Sequence, residues 1–126
     1  LLTLQIAARE SVDKVAQAVR RLTREPAEFF GIDAGRLDVG AQADVVLVDP
    51  KALLSYDTDA NRRMIYRDIF EHEQLVNRSD GVVTAVFIAG EQVWDGSEFT
   101  PALGTRRLGR ALTASKRRES GEHRAA

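Results

Sequence analysis

Two histidines, His72 and His123, are the only imidazoles in these 126 residues, and there is no cysteine. Histidine supplies general acid–base chemistry near neutral pH. About three His or carboxylate ligands leave a zinc ion with an open position for chemistry. Neither histidine has a partner for such work. There is no His-x-His and no second histidine one helical turn away. Glu71-His72-Glu73 sets a carboxylate on each side of an imidazole, but adjacent residues on a helix point apart, so His72 reads as a solvated surface residue. His123 lies in a polar tail and reads the same way. Missing cysteine excludes a disulfide framework, a thiolate nucleophile and any cysteine-based zinc site. Ser11 lacks a nearby His-and-acid pattern and stands where a helix N-cap belongs. Asp57, Asp59 and Asp68 do not follow the ligand spacing of a calcium loop. Asp44 opens an apolar run, where its carboxylate is expected to accept N–H groups of the preceding turn. No residue of the chain is therefore assigned a catalytic, cofactor-binding or metal-binding role, and the chemistry-bearing types are read as parts of a scaffold.

The bulk composition fits that reading. Hydrophobic residues make up 44% and charged residues 29%, as in an ordinary folded domain. The net charge of −1 argues against a nucleic-acid binder. No apolar run approaches the roughly 20 residues of a membrane span, and the first residues lack the order of a signal peptide. These features predict a cytoplasmic protein that binds neither membrane nor nucleic acid. The first residue is Leu1 and the single methionine is Met64, so the chain is expected to be a segment of a longer one.

The elements follow from spacing. Residues 1 to 8 read as the end of a helix. Ser11 then caps a second helix, with Val12, Val15, Val19 and Leu22 on one face and Lys14, Gln17, Arg20, Arg21 and Arg24 on the other. Pro26 is expected to start a short helix that buries Phe29 and Phe30 and ends at Gly31. Gly35 and Gly40 bracket a short extended segment. Asp44 to Val48 is apolar and mostly β-branched, a strand stopped by Asp49-Pro50. Residues 51 to 80 are polar and read as an irregular excursion, although Met64, Ile65, Ile69 and Leu75 carry some helical spacing. Val82 to Ile88, the turn Ala89-Gly90 and Gln92 to Trp94 form a hairpin, followed by a second turn at Asp95-Gly96. Phe87 and Trp94 are expected in the core. From Arg106 onward there are seven Lys or Arg against two Glu, a formal +5 that leaves −6 on residues 1 to 105. This basic tail reads as a short helix and a solvated terminus.

The phrases Leu22-Thr23, Pro26-Ala27, Gly31, Gly35-Arg36-Leu37, Gly40, Ala43-Asp44 and Asp49-Pro50, in that order, resemble the C-terminal part of the amidohydrolase superfamily. The stretch VVTAVFIAGEQVWDG resembles the ending of the same enzymes, with Ala89-Gly90 where Asn-Gly is usual. Glu98, Thr100, Ala102-Leu103 and Gly104 resemble the tail of the N-acyl-D-amino-acid deacylases (D-aminoacylases), with Pro101 and Thr105 where glycines are common. The resemblance runs over about residues 11 to 112. The Gly-Arg-Leu…Ala-Asp phrase is shared with dihydropyrimidinases, dihydroorotases and other relatives, so substrate choice stays open at this point.

The resemblance implies an α/β fold: the last helices of a (β/α)8 barrel plus part of a flanking small β-sandwich, incomplete as an independent fold. It implies terminal barrel helices over residues 1–34, a sandwich portion over 35–104 with the excursion at 51–80, and the basic tail over 105–126. It implies a parent enzyme that hydrolyses an N-acyl amide with a divalent metal, zinc by family usage, which lowers the pKa of a water and polarises the carbonyl. The catalytic and metal-binding residues would lie outside this segment, which alone would be inactive and bind no metal. Its partners would be the remainder of the parent chain, an N-acyl amino acid substrate in the whole enzyme, or another copy of itself. The alternative is a free-standing β-rich binding module with a basic tail.

Overall fold

A computed structural model describes residues 1–114 as a mixed α/β arrangement of helices, a three-stranded sheet and a separate two-stranded ribbon. Helix α1 spans Leu2–Glu10 and α2 spans Val12–Leu22. The break between them is made by Ser11, whose extended backbone ends α1 and whose Oγ accepts the Lys14 N–H at 3.2 Å. Helix α3 spans Arg24–Phe30 and ends at Gly31 in the left-handed conformation, with the Ile32 N–H returning to the Ala27 carbonyl. It begins two residues before Pro26, not at it. The first-turn N–H groups of a helix have no intrahelical partner, so proline's missing donor costs nothing there.

The amphipathic face of α2 forms as its spacing predicts, but no residue of α2 is buried. Phe29 and Phe30, expected inside, are 83% and 61% exposed and stack edge-to-face on each other with ring centroids 5.0 Å apart. The reason is geometric: α3 packs chiefly on α2, which leaves its aromatic side uncovered among the described residues.

The small core sits elsewhere. Strand β1 (Val45–Val48) ends at Asp49, whose Oδ1 accepts the N–H groups of Lys51 and Ala52 and so starts helix α4 (Pro50–Ser55). Leu53, Tyr56 and Val82 bury together, flanked by Leu4, Ala8, Val48 and Ala52. The buried Gln5 amide of α1 donates to the carbonyls of Leu54 and Tyr56, at 3.3 and 2.7 Å. This joins α1 to α4 and to the entry of β4 (Val83–Ile88).

The sheet runs β1-β4-β5, all antiparallel, with β5 spanning Glu91–Trp94. The expected hairpin is present. Phe87 and Trp94 are each half-buried, and the register sets them on opposite faces: Val46, Val86 and Trp94 share one, Val45 and Phe87 the other. Val46 and Leu47 are 55% and 48% exposed, so both faces of the edge strand show apolar surface.

The two-residue turn at Ala89-Gly90 has positive φ at both positions, 51° and 82°. That is the sign pattern of a type I′ turn, which suits the strand twist and favours Asn-Gly. Alanine in this region costs about 1–2 kcal/mol through its Cβ. Ala89→Asn keeps the backbone N–H and relieves part of that cost, so a gain of about 1 kcal/mol is expected. Urea midpoints of the two proteins check it; an unchanged or lower midpoint would show that the turn is not strained.

Residues 51–80 are ordered, contrary to the irregular reading. After α4, strand β2 (Arg62–Arg67), a short 3₁₀ turn (Asp68–Phe70) and β3 (His72–Asn77) make an antiparallel ribbon. Between Gly35 and Gly40 no strand forms, and Leu37 and Val39 lie exposed. The tail forms no helix over 107–114, where Gly109 interrupts the run. Instead, Arg106 pairs with Glu91 at 2.6 Å and Arg110 donates to the Asp33 carbonyl at 2.7 Å.

Candidate functional site

The sequence phrases that stand out converge in pairs. At the first junction the backbone of Gly35 lies on the joint between α2 and α3. A Cβ there would come within 2.7 Å of the Thr23 carbonyl carbon and oxygen and 2.8 Å of the Arg24 nitrogen, and φ is +77°. Thus Leu22-Thr23 and Gly35-Arg36 touch. The Arg36 guanidinium holds the loop closed by pairing with Asp33 at 2.7 Å and Asp38 at 3.6 Å.

At the second junction the β1 entry clasps the β4–β5 turn. The Ala43 carbonyl accepts the Gly90 N–H at 2.9 Å, and Asp44 Oδ1 accepts the Ala89 N–H at 2.8 Å. Asp44 Oδ2 accepts Gln42 Nε2 at 2.7 Å. These bonds, that of Ala89 first and that of Gln42 next, hold the Asp44 carboxyl below its usual pKa, with the Arg110 charge adding to them. Asp44 does accept a backbone N–H, as its position predicts, but not from the preceding turn. Its backbone donor comes from a turn 45 residues ahead because β1 pairs with β4. Gln42 and Arg110 are neighbours that the sequence reading missed; Gln42, two residues before Asp44, is the only local sign of them.

Asp95 and Asp57 are also committed to backbone. Asp95 Oδ1 takes the N–H groups of Ser97 and Glu98 at the Asp95-Gly96 turn, and these bonds lower its pKa. Asp57 Oδ1 accepts from the Asp59 and Ala60 N–H groups, and Asp59 pairs with Arg62 at 3.0 Å. Asp68 opens the 3₁₀ turn. His72 is exposed on β3. Its Nδ1 lies 2.8 Å from the Phe70 carbonyl, which requires Nδ1–H, and this leaves Nε2 to accept from Gln74 at 3.3 Å. His123 lies outside the described residues.

Among the described residues no three of His, Cys, Asp and Glu converge as a metal site. The arrangement here does not fit the metal that the resemblance implies. A shallow cavity of about 270 Å³ separates α1 from α2, with Ile6, Ala7, Glu10, Lys14, Arg21 and Leu22 among its walls. It contains no nucleophile–base pair. No described helix is long and apolar enough to cross a membrane. Chemically, the site consists of acceptors that fix backbone geometry at two junctions.

Comparison with known proteins bears on what this geometry belongs to. The model of the amidohydrolase family matches residues 3–93, a span that includes both junctions. An uncharacterized protein of Mycobacterium tuberculosis (strain H37Rv) is 36% identical over 85 residues, covering 68% of this chain and 14% of that protein. A dihydropyrimidinase of Dictyostelium discoideum is 29% identical over 94 residues, 73% of this chain and 18% of the relative. The chain thus spans less than a fifth of the length of the curated relatives it matches. No solved structure matches.

Proposed function

This chain belongs to the amidohydrolase family, and from that membership we propose that it is a scaffold segment of a metal-dependent hydrolase acting on a carbon–nitrogen amide bond, with N-acyl-D-amino acids as the substrate class. The observation that carries the reading is the family match across 3–93. Asp44, Asp49, Asp57 and Asp95 are engaged in caps and clasps, and on this reading the residues that bind metal and move protons belong to the remainder of the parent chain. The bare apolar sides of α2, α3 and β1 are the surfaces that remainder covers. In the parent these faces pack on the last part of a (β/α)8 barrel and on further strands of a small β-sandwich. The branch assignment rests on the Glu98–Gly104 stretch. The similarity to a dihydropyrimidinase supports a second reading, ring-opening of a dihydropyrimidine.

The test uses the full-length natural protein. N-acyl-D-amino acids and a dihydropyrimidine are supplied in parallel, before and after chelation and with zinc restored. Hydrolysis of the acyl amino acids that is lost on chelation and regained with zinc is expected. Ring-opening alone would move the assignment to the second reading. Residues 1–126 on their own are expected to give no turnover, and chelator-sensitive turnover by them would overturn the scaffold role.

A further inference from the structure

The β2–β3 ribbon is not accounted for by the two junctions. Its strands pair in six rows, from Arg62↔Asn77 to Arg67↔His72, and pack almost wholly on each other. The Arg78 N–H closes its base on the Asn61 carbonyl at 3.2 Å, and it is held there by the Tyr56 hydroxyl, which bonds to Asn77 and to the Arg78 carbonyl, and by Arg63, which pairs with Asp80 at 3.5 Å. A lone two-stranded ribbon is marginal in water. This one also displays Met64, Tyr66 and Leu75 at 56%, 57% and 63% exposure.

We propose that this ribbon face is a self-contact, docked by a second copy of the same protein about a twofold axis. Cross-strand partners share a face, so the register gives this face three rows: Arg62 with Asn77 at the base, Met64 with Leu75 in the middle, and Tyr66 with Glu73 toward the tip. The middle is apolar, one end cationic and the other anionic. An isologous contact must be complementary to itself, and this layout is. With the axis running across the strands, Met64 meets Met64 and Leu75 meets Leu75. Arg62 of each copy then falls on the Tyr66–Glu73 end of the other, within reach of a carboxylate and an aromatic ring. An axis along the strands would put Tyr66 over Glu73 and offer each arginine no carboxylate beyond the Asp59 of its own chain, 3.0 Å away. Within one chain Arg62 and Glu73 sit four residues apart along the ribbon, about 14 Å, so they do not satisfy each other. Three cross-strand rows make a face smaller than the standard interface, and the test takes a dissociation constant on the order of micromolar as the expected value.

Sedimentation of the full-length natural protein tests this. The wild type is expected to dimerise, and Arg62→Glu and Glu73→Arg, each alone, to weaken dimerisation about tenfold or more through like-charge contacts. A one-to-one mixture of the two variants is expected to dimerise again, because each supplies the charge that the other lacks. A wild type that stays monomeric at about 100-fold above the expected micromolar constant, as it would if the remainder of its own chain covered the ribbon, overturns the proposal. So does a mixture no more associated than its components. Leu75→Cys with a short bismaleimide linker gives a readout that needs no charge reversal: a cross-linked dimer is expected, and its absence counts against the twofold.

Discussion

Gly35→Ala is expected to cost about 3 kcal/mol. Two terms combine. The left-handed φ of +77° costs a residue with a Cβ about 1–2 kcal/mol. The new Cβ would also stand 2.7–2.8 Å from three backbone atoms at the α2–α3 joint. A flexible side chain could swing away from it, but the Thr23 carbonyl is fixed by the helix it ends. Forcing extra volume into such a contact costs about 1–3 kcal/mol. Gly40 separates the terms, since it has φ +85° and a methyl group added there would meet nothing within 4 Å. Gly40→Ala should therefore cost about 1 kcal/mol, the conformational part alone. Denaturant midpoints of the full-length protein and both variants measure this. Equal losses for the two would show that close approach at Thr23 contributes nothing.

Some of these features are legible in the sequence because they answer local demands. Ser11 and Gly31 act within one turn of their own position, through a side chain or a φ value, so their roles follow from residue type; Asp49 stops β1 as its pairing with Pro50 suggests, but it also caps α4, which the sequence reading did not assign. The hairpin at Ala89-Gly90 is equally readable, because glycine, chain reversal and flanking β-branched residues coincide. The ribbon is not. Neither face holds a fully buried residue, and only Ile65, Gln74 and Val76 are partly covered, so burial imposes little apolar alternation on Arg62–Arg67 or His72–Asn77. Its turn uses Glu71 at φ 53° where a glycine would have announced it. The accidental spacing of Met64, Ile65 and Ile69 suggests helix instead. Phe29 and Phe30 mislead for a different reason. Their type says that they bury somewhere, but the sequence does not say whether the covering surface lies within these residues. For the site, the phrases are visible in order along the chain, and the structure adds that they meet in pairs. Thr23 against Gly35 and Asp44 against Ala89 are contacts over 12 and 45 residues, which no local pattern encodes.

Removing the Asp44 carboxylate should loosen the second junction and change how stability responds to acid. Asp44→Ala leaves the Ala89 N–H without its acceptor at a turn that is already strained, and it frees Gln42 as well. A hydrogen bond to a charged group is worth about 1.5–3 kcal/mol. Asp44 is exposed, so water replaces part of this and a loss of about 1 kcal/mol is expected. Asp44→Asn keeps an acceptor oxygen but not the charge, and should lose less. The pH dependence follows from the direction of the shift. The folded state holds the Asp44 pKa below its unfolded value of about 3.9. Its contribution is complete above that unfolded value and is lost as pH falls through the lower folded one. Asp49 and Asp95 are shifted the same way by their own backbone bonds, so the wild type should lose stability below about pH 4. The Asp44→Asn protein should lose less over that range, because one of the linked carboxylates is gone. Thermal melts of wild type and Asp44→Asn at a series of pH values between about 2 and 6 measure the difference. Parallel curves would mean that the Asp44–Ala89 clasp carries no linked proton, and that the β1 entry holds the hairpin turn through the Ala43 carbonyl alone.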